Sequence, residues 1–165
     1  MKKAATVLLW VSIGVEVLYV IAALLGMVIG GATSPIEKFN ATAVIAALVM
    51  FLVTVGIPML AKAIFAVITL FGLKAKSKLF VTEIIAIVSF SGVFSLLSAL
   101  LNNIVFMVIS RFGEYSLGSY HYITAGMSWV GFLHGISTVL FIVALSFSIA
   151  YKKIELPYLN SISEE

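Results

Sequence analysis

The sequence has no cysteine and no aspartate, one arginine (Arg111) and two histidines. Without a thiol there is no disulfide, iron–sulfur cluster, thiolate metal site or cysteine nucleophile. Without aspartate, the paired membrane aspartates of an aspartyl intramembrane protease are excluded. Charge of either sign is scarce: charged residues make up 10% of 165, with a net charge of +3, whereas 62% are hydrophobic. Such a chain lacks the polar surface to clothe a water-soluble globule of its size. Lipid is therefore the expected solvent, and the expected location is a cell membrane crossed several times. No Pro/Gly/Ser tract or change of composition marks a linker, so residues 1–165 read as a single membrane domain. The basic residues sit beside apolar runs, not on a polar surface interleaved with aromatics, so nucleic acid is not an expected partner.

What the sequence does contain is apolar runs, at about 4–29, 41–73, 79–109 and 123–151. Each exceeds the roughly 20 residues that a bilayer core needs. The pattern predicts an all-α integral membrane four-helix bundle. The first run resembles a secretory signal at its Met1-Lys2-Lys3 start. A signal's apolar region, however, spans only about 7–15 residues; this run is much longer and carries Glu16, so it is read as a retained span. Pro58 predicts a kink or tilt in the second run. Lys74-Ala75-Lys76-Ser77-Lys78 makes a tight turn that sets spans two and three antiparallel. The polar stretch 111–122 reads as a longer loop, and the tail 152–165, broken at Pro157, as mobile. Asn40-Ala41-Thr42 fits a glycosylation sequon, but Asn40 is better read as a helix cap.

Segments rich in Lys and Arg are retained in the cytoplasm. Lys2, Lys3, Lys74, Lys76, Lys78, Lys152 and Lys153 fall on one side of a four-span weave, and only Lys38 and Arg111 on the other. Both termini are expected inside. Tyr115, Tyr120, Tyr122 and Trp129 then gather at the outer boundary, where amphipathic rings sit well.

Two charges lie within spans. A charge near the bilayer centre costs about 2.5–3.5 kcal/mol on insertion scales. At 1.5 Å per residue, Glu16 lies about 18 Å in from Ala4 and Lys62 about 16 Å in from Leu73. Equal depth predicts an ion pair that fixes the register of spans one and two. The competing readings are a role in moving protons, ions or a substrate, snorkelling of Lys62 to the cytoplasmic face, and pairing of Lys62 with Glu83.

Ser91, Ser95, Ser98 and Asn102 share a narrow stripe of the third span. Facing lipid would leave their polar groups poorly satisfied, so the expectation is packing inside the bundle, with a wet path as the alternative. Small residues at Ala22, Gly26 and Gly30, and at Gly131 and Gly135, permit close helix approach. Packing within one copy comes first, a dimer contact second. His134 reads as a satisfied buried histidine. A metal site joining His134, His121 and Glu114 is not expected, because no pair has ligand spacing. No nucleophile elbow, phosphate loop or zinc-protease motif occurs, so neither a catalytic residue nor a cofactor is assigned and no enzyme is expected.

The segment Lys74-Ala75-Lys76-Ser77-Lys78-Leu79-Phe80-Val81-Thr82-Glu83 resembles the cytoplasmic hairpin of an uncharacterised family of small four-span bacterial membrane proteins, in which a basic turn precedes a Phe and then a Glu. Phe80 and Glu83 take those places; Lys78-Leu79 stands where the family has Gly-Pro, and Ile84 where it has Asn. The exit of span four, with Lys152-Lys153-Ile154-Glu155-Leu156, is similar too. The resemblance implies a four-helix membrane protein often encoded beside a small helix-turn-helix regulator. The leading expectation is an accessory, regulatory or immunity protein that acts through partner contacts, the partner being another membrane protein or a further copy of itself. The alternative is a small oligomeric transporter or channel built on Glu16, Lys62 and the third-span stripe.

Overall fold

The computed structural model describes residues 1–33, 41–77 and 80–157, with the side chain of Tyr115 left aside. The expected roles of Asn40, Lys38, Lys78 and the tail from residue 158 onward lie outside the described residues. Within these bounds the chain is all-helical. Helix α1 (Lys2–Ala32) forms span one. Span two is α2 (Ala41–Phe51), a π-helical turn at Leu52–Gly56, and α3 (Ile57–Lys74). Span three is α4 (Val81–Val88), a π-turn at Ser89–Val93, and α5 (Phe94–Ser110). Then follow α6 (Glu114–Ser128), α7 (Gly131–Ala150) and a π-turn at Tyr151–Glu155. Four of these helical runs are long and apolar enough to cross a membrane: Lys2–Ala32, Ala41–Lys74, Val81–Ser110 and Gly131–Glu155.

The wide turn in span two has a local cause. Pro58 offers no N–H, and its ring would press on the carbonyl four residues back, at Thr54. Opening the turn relieves that pressure, and the N–H of Ile57 reaches the Leu52 carbonyl five residues back. The irregularity expected at Pro58 thus takes the form of a π-turn ending just before it.

The stretch 111–122 is not the long loop its polarity suggested. Only Arg111 to Gly113 turns, with Gly113 at φ 94°, a conformation that glycine adopts without strain. Helix α6 then begins at Glu114 and runs antiparallel along α1, and α7 continues the same course beyond a break at Trp129 and Val130. Polarity misleads here because α6 has neighbours on several sides. It packs against α1, α2 and α5, and its backbone groups pair within the helix itself.

Polar and apolar layers alternate along the bundle. At the end that holds Met1, the side chains of Ala5, Leu73, Tyr151 and Leu156 cluster, and the Met1 amino group pairs with Glu155 at 3.1 Å. Next comes a layer built on Leu9, Ala66, Phe90 and Phe141. Beyond the middle, Tyr19, Ala23 and Val55 form a third layer. At the distal end Met27, Ala47, Met50, Ile109 and Tyr120 close the core. Residues 151–157 belong to this fold and not to a mobile tail, since Tyr151, Lys152 and Leu156 are buried.

Candidate functional site

Glu16 on α1 and Lys62 on α3 meet at 2.6 Å between the two central apolar layers, both about 1% exposed. Their equal depth, counted from helical rise, thus corresponds to contact. The other partners come from α7. Lys62 donates to Ser137 Oγ at 2.9 Å and to Thr138 Oγ1 at 3.3 Å. With Glu16, that engages all three N–H groups of the ammonium. The second Glu16 oxygen lies 2.8 Å from His134 Nδ1. Because an ionised carboxylate only accepts, Nδ1 carries the proton in this arrangement. The Ser137 hydroxyl in turn donates a hydrogen bond to the Ser12 carbonyl at 2.8 Å. The rings of Phe90 and Phe141 lie 5.6 and 6.0 Å from the Lys62 nitrogen, where the quadrupole of each face favours a cation. His134 is about one-third exposed, so it is a partly open ligand of the carboxylate and not a fully buried histidine.

Glu83 does not pair with Lys62. It bonds Lys152, and Ser148 donates to the same carboxylate at 3.0 Å. This second buried pair ties the start of span three to the end of span four. Lys152 looked like a cytoplasmic flank because it follows the last apolar residue; the π-turn at Tyr151–Glu155 turns it inward instead. A β-carbon at Gly72 would come within 3.0 Å of the Lys152 nitrogen. Gly72→Ala is therefore expected to push Lys152 off Glu83 and lower the thermal midpoint, with a loss of about 1–2 kcal/mol. Unchanged thermal unfolding in detergent would show that the ammonium shifts at no cost.

The small residues divide sharply. A β-carbon on Gly26 would lie 2.2 Å from the Gly126 carbonyl oxygen, one on Gly126 would lie 1.9 Å from that of Gly26, and one on Gly30 would lie 2.3 Å from the Tyr122 carbonyl. Gly26 and Gly30 are thus contact points of α1, and Ala22 lines the groove beside them. Their partner is Gly126 on α6, not Gly131 or Gly135, which have nothing within 4 Å of a β-carbon. Among the described residues, the Gly131 and Gly135 motif therefore makes no close helix approach at its α-carbons. Gly126 lies near the start of the fourth apolar run, where no spacing of small residues within the sequence marks it as a contact point.

The third-span stripe is not interior either: Ser91, Ser95 and Asn102 are exposed and Ser98 is half-buried. The side of this span that faces the bundle carries Ala86, Phe90, Phe94, Val105 and Ile109. At 100° per residue, Asn102 lies about 60° round the helix from Val105, on the flank. There Ser98 and Asn102 line a groove of about 430 Å3 together with Thr54, Tyr120, His121 and Thr124. Tyr120 is buried, and burial raises its phenol above the ordinary value, so it stays a proton donor. It donates to Asn102 Oδ1 at 3.3 Å. Trp129 and Tyr122, expected at an interface, are strongly exposed. His121 lies beside Phe106, with ring centroids 5.9 Å apart. Among the described residues no three His or Glu side chains come together to hold a metal ion.

Fold and site together define an all-helical bundle with four helices fit to cross a membrane, cross-braced by two buried lysine–glutamate pairs. No protein-family model, curated protein or solved structure matches the chain.

Proposed function

We propose that this chain is a multi-pass membrane protein with both ends in the cytoplasm, acting without catalysis as an accessory, regulatory or immunity component that binds another membrane protein through the side of its third span. Its orientation is supported by charge: Lys2, Lys3, Lys74, Lys76 and Lys153 stand at the end that holds Met1 and Leu156, against Arg111 at the other. The family resemblance of the 74–83 hairpin adds an expected functional link to a regulator encoded nearby.

The observation that carries the contact reading is the polar flank of span three. Only 11% of the most apolar stretch of that span is buried, against 28% in each of the other three. A span with hydroxyls and an amide on its uncovered side is poorly matched to lipid tails, which offer no hydrogen bonds. The transporter reading needs Glu16 or Lys62 to release a bond, since the network engages every Lys62 donor and both Glu16 oxygens. Proteoliposome flux abolished by Glu16→Gln would favour it.

A photo-crosslinking residue at Ser95 is expected to trap a protein partner in intact membranes, whereas one at Val28 or Phe71, equally exposed on spans one and two, traps lipid. Equal yields of protein adduct from all three positions would reject a dedicated face.

A further inference from the structure

We infer that the groove between span two, span three and α6 is a binding site for the uncharged, hydroxyl-bearing head group of a lipid, such as a glycosylated diacylglycerol. This rests on the proposed placement of the chain in a membrane. It is independent of the protein contact at Ser95, which does not line the groove.

The first ground is where the groove lies. Its walls come from three elements: Thr54 in the π-turn of span two, Ser98 and Asn102 on α5, and Tyr120 and Thr124 on α6. Along span three it extends from Ser98 to Phe106, about 5 to 16 Å beyond Ser95 at mid-span. Half of a bilayer core is about 15 Å thick, so the groove covers the distal half of the hydrocarbon. Ala99, Asn102 and Phe106 on its rim are exposed on the side of the bundle, and its mouth therefore opens sideways to lipid. A volume of about 430 Å3 is in the range of small-molecule sites.

The second ground is the hydrogen-bond inventory of the lining. Thr54 donates its hydroxyl proton to the Met50 carbonyl at 2.7 Å, Thr124 to the Tyr120 carbonyl at 2.9 Å, and Ser128 to the Thr124 carbonyl at 3.0 Å. Each of these three therefore offers the groove an oxygen that only accepts. Ser98 and Asn102 supply the donors. The Ser98 hydroxyl makes no hydrogen bond among the described residues, whereas Ser110 and Ser146 bond their own backbone. Asn102 accepts from the buried Tyr120 hydroxyl at 3.3 Å, which orients the amide and leaves its two N–H donors over. No carboxylate, lysine or arginine lines the groove. Hydroxyl groups both donate and accept, so a cluster of them matches both sets. An ester or quinone carbonyl only accepts and leaves the three oxygens unmatched. An ammonium only donates, and a phosphate brings a charge that no side chain here neutralises. Water would match the polar groups but not Met50, Phe106 and Met127, which share the same walls. A hydroxylated lipid carries both kinds of surface.

The full chain in detergent micelles is titrated with radiolabelled glucosyl-diacylglycerol. The expected result is saturable binding of one lipid per chain, weakened about fivefold by Ser98→Ala and about tenfold by Asn102→Leu. Ser98→Ala is the decisive variant: it removes no bond within the chain, so it folds as the parent does and remains informative if Asn102→Leu fails to accumulate. Ser146→Ala, which removes a span-four hydroxyl bonded to its own backbone, should leave binding unchanged. Unlabelled glycolipid should displace the probe, whereas phosphatidic acid and free glucose should not. Displacement by phosphatidic acid as effective as by the glycolipid would overturn the uncharged class, and displacement by glucose would overturn the lipid source. Binding that is absent, or that neither Ser98→Ala nor Asn102→Leu weakens, would reject the site. Retention of the chain in carbonate-washed membranes reports insertion separately, so a missing site and a failed membrane placement give different results.

Discussion

Lys62→Met is expected to cost the fold about 3–5 kcal/mol, because it leaves the Glu16 carboxylate charged, buried and short of its main partner. The side chain is replaced at similar volume, so the loss is electrostatic and not a packing defect. Ser137 and Thr138 lose their donor at the same stroke, and only His134 still faces the carboxylate. The double variant Glu16→Gln with Lys62→Met is expected to recover most of that loss, since removing both charges removes the uncompensated one. Chemical unfolding in detergent across the four species of this cycle measures the coupling. A single Lys62→Met variant as stable as the parent would show that the pair carries no structural role. A straight exchange, Glu16→Lys with Lys62→Glu, should recover less than the neutral pair. His134 presents its Nδ1 proton to position 16, which suits a carboxylate and opposes an ammonium.

Gly126→Ala should be more damaging than a methyl group at Gly14, Gly92, Gly131 or Gly135. The new β-carbon would sit 1.9 Å from the Gly26 carbonyl oxygen, which is backbone and cannot swing aside, so α1 and α6 must separate. Overpacking of this kind costs about 3 kcal/mol or more. Gly26→Ala meets the Gly126 carbonyl at 2.2 Å and should cost nearly as much. Gly14→Ala and Gly135→Ala place a methyl in open space and supply the control: each should be neutral, or stabilising by up to about 1 kcal/mol through helix propensity. Thermal unfolding of the four variants side by side checks the ranking. A Gly126→Ala protein that melts with the Gly135→Ala protein would mean that α6 does not press on α1 as described.

Depth along a helix is one-dimensional and readable from residue count, which is why the sequence alone sufficed for four helices long and apolar enough to cross a membrane and for the shared level of Glu16 and Lys62. Rise per residue places two charges at one level whatever the arrangement of helices around them. Azimuth and neighbour identity are not readable in that way. Which carboxylate Lys62 takes, and that Lys152 turns inward to Glu83 through a π-turn, depend on which helices adjoin. The same holds for the stripe on span three: its periodicity was plain, but whether it faces a neighbour or lies on a flank follows from Phe90, Phe94 and Val105 claiming the inward side. The helix at Glu114–Ser128 and its glycine contact with α1 came only with tertiary structure, because a polar segment becomes helical when three other helices stand around it. Hydropathy and spacing thus determined which segments form long apolar helices and at what level their charges lie; only packing decided which side chains are buried and against what.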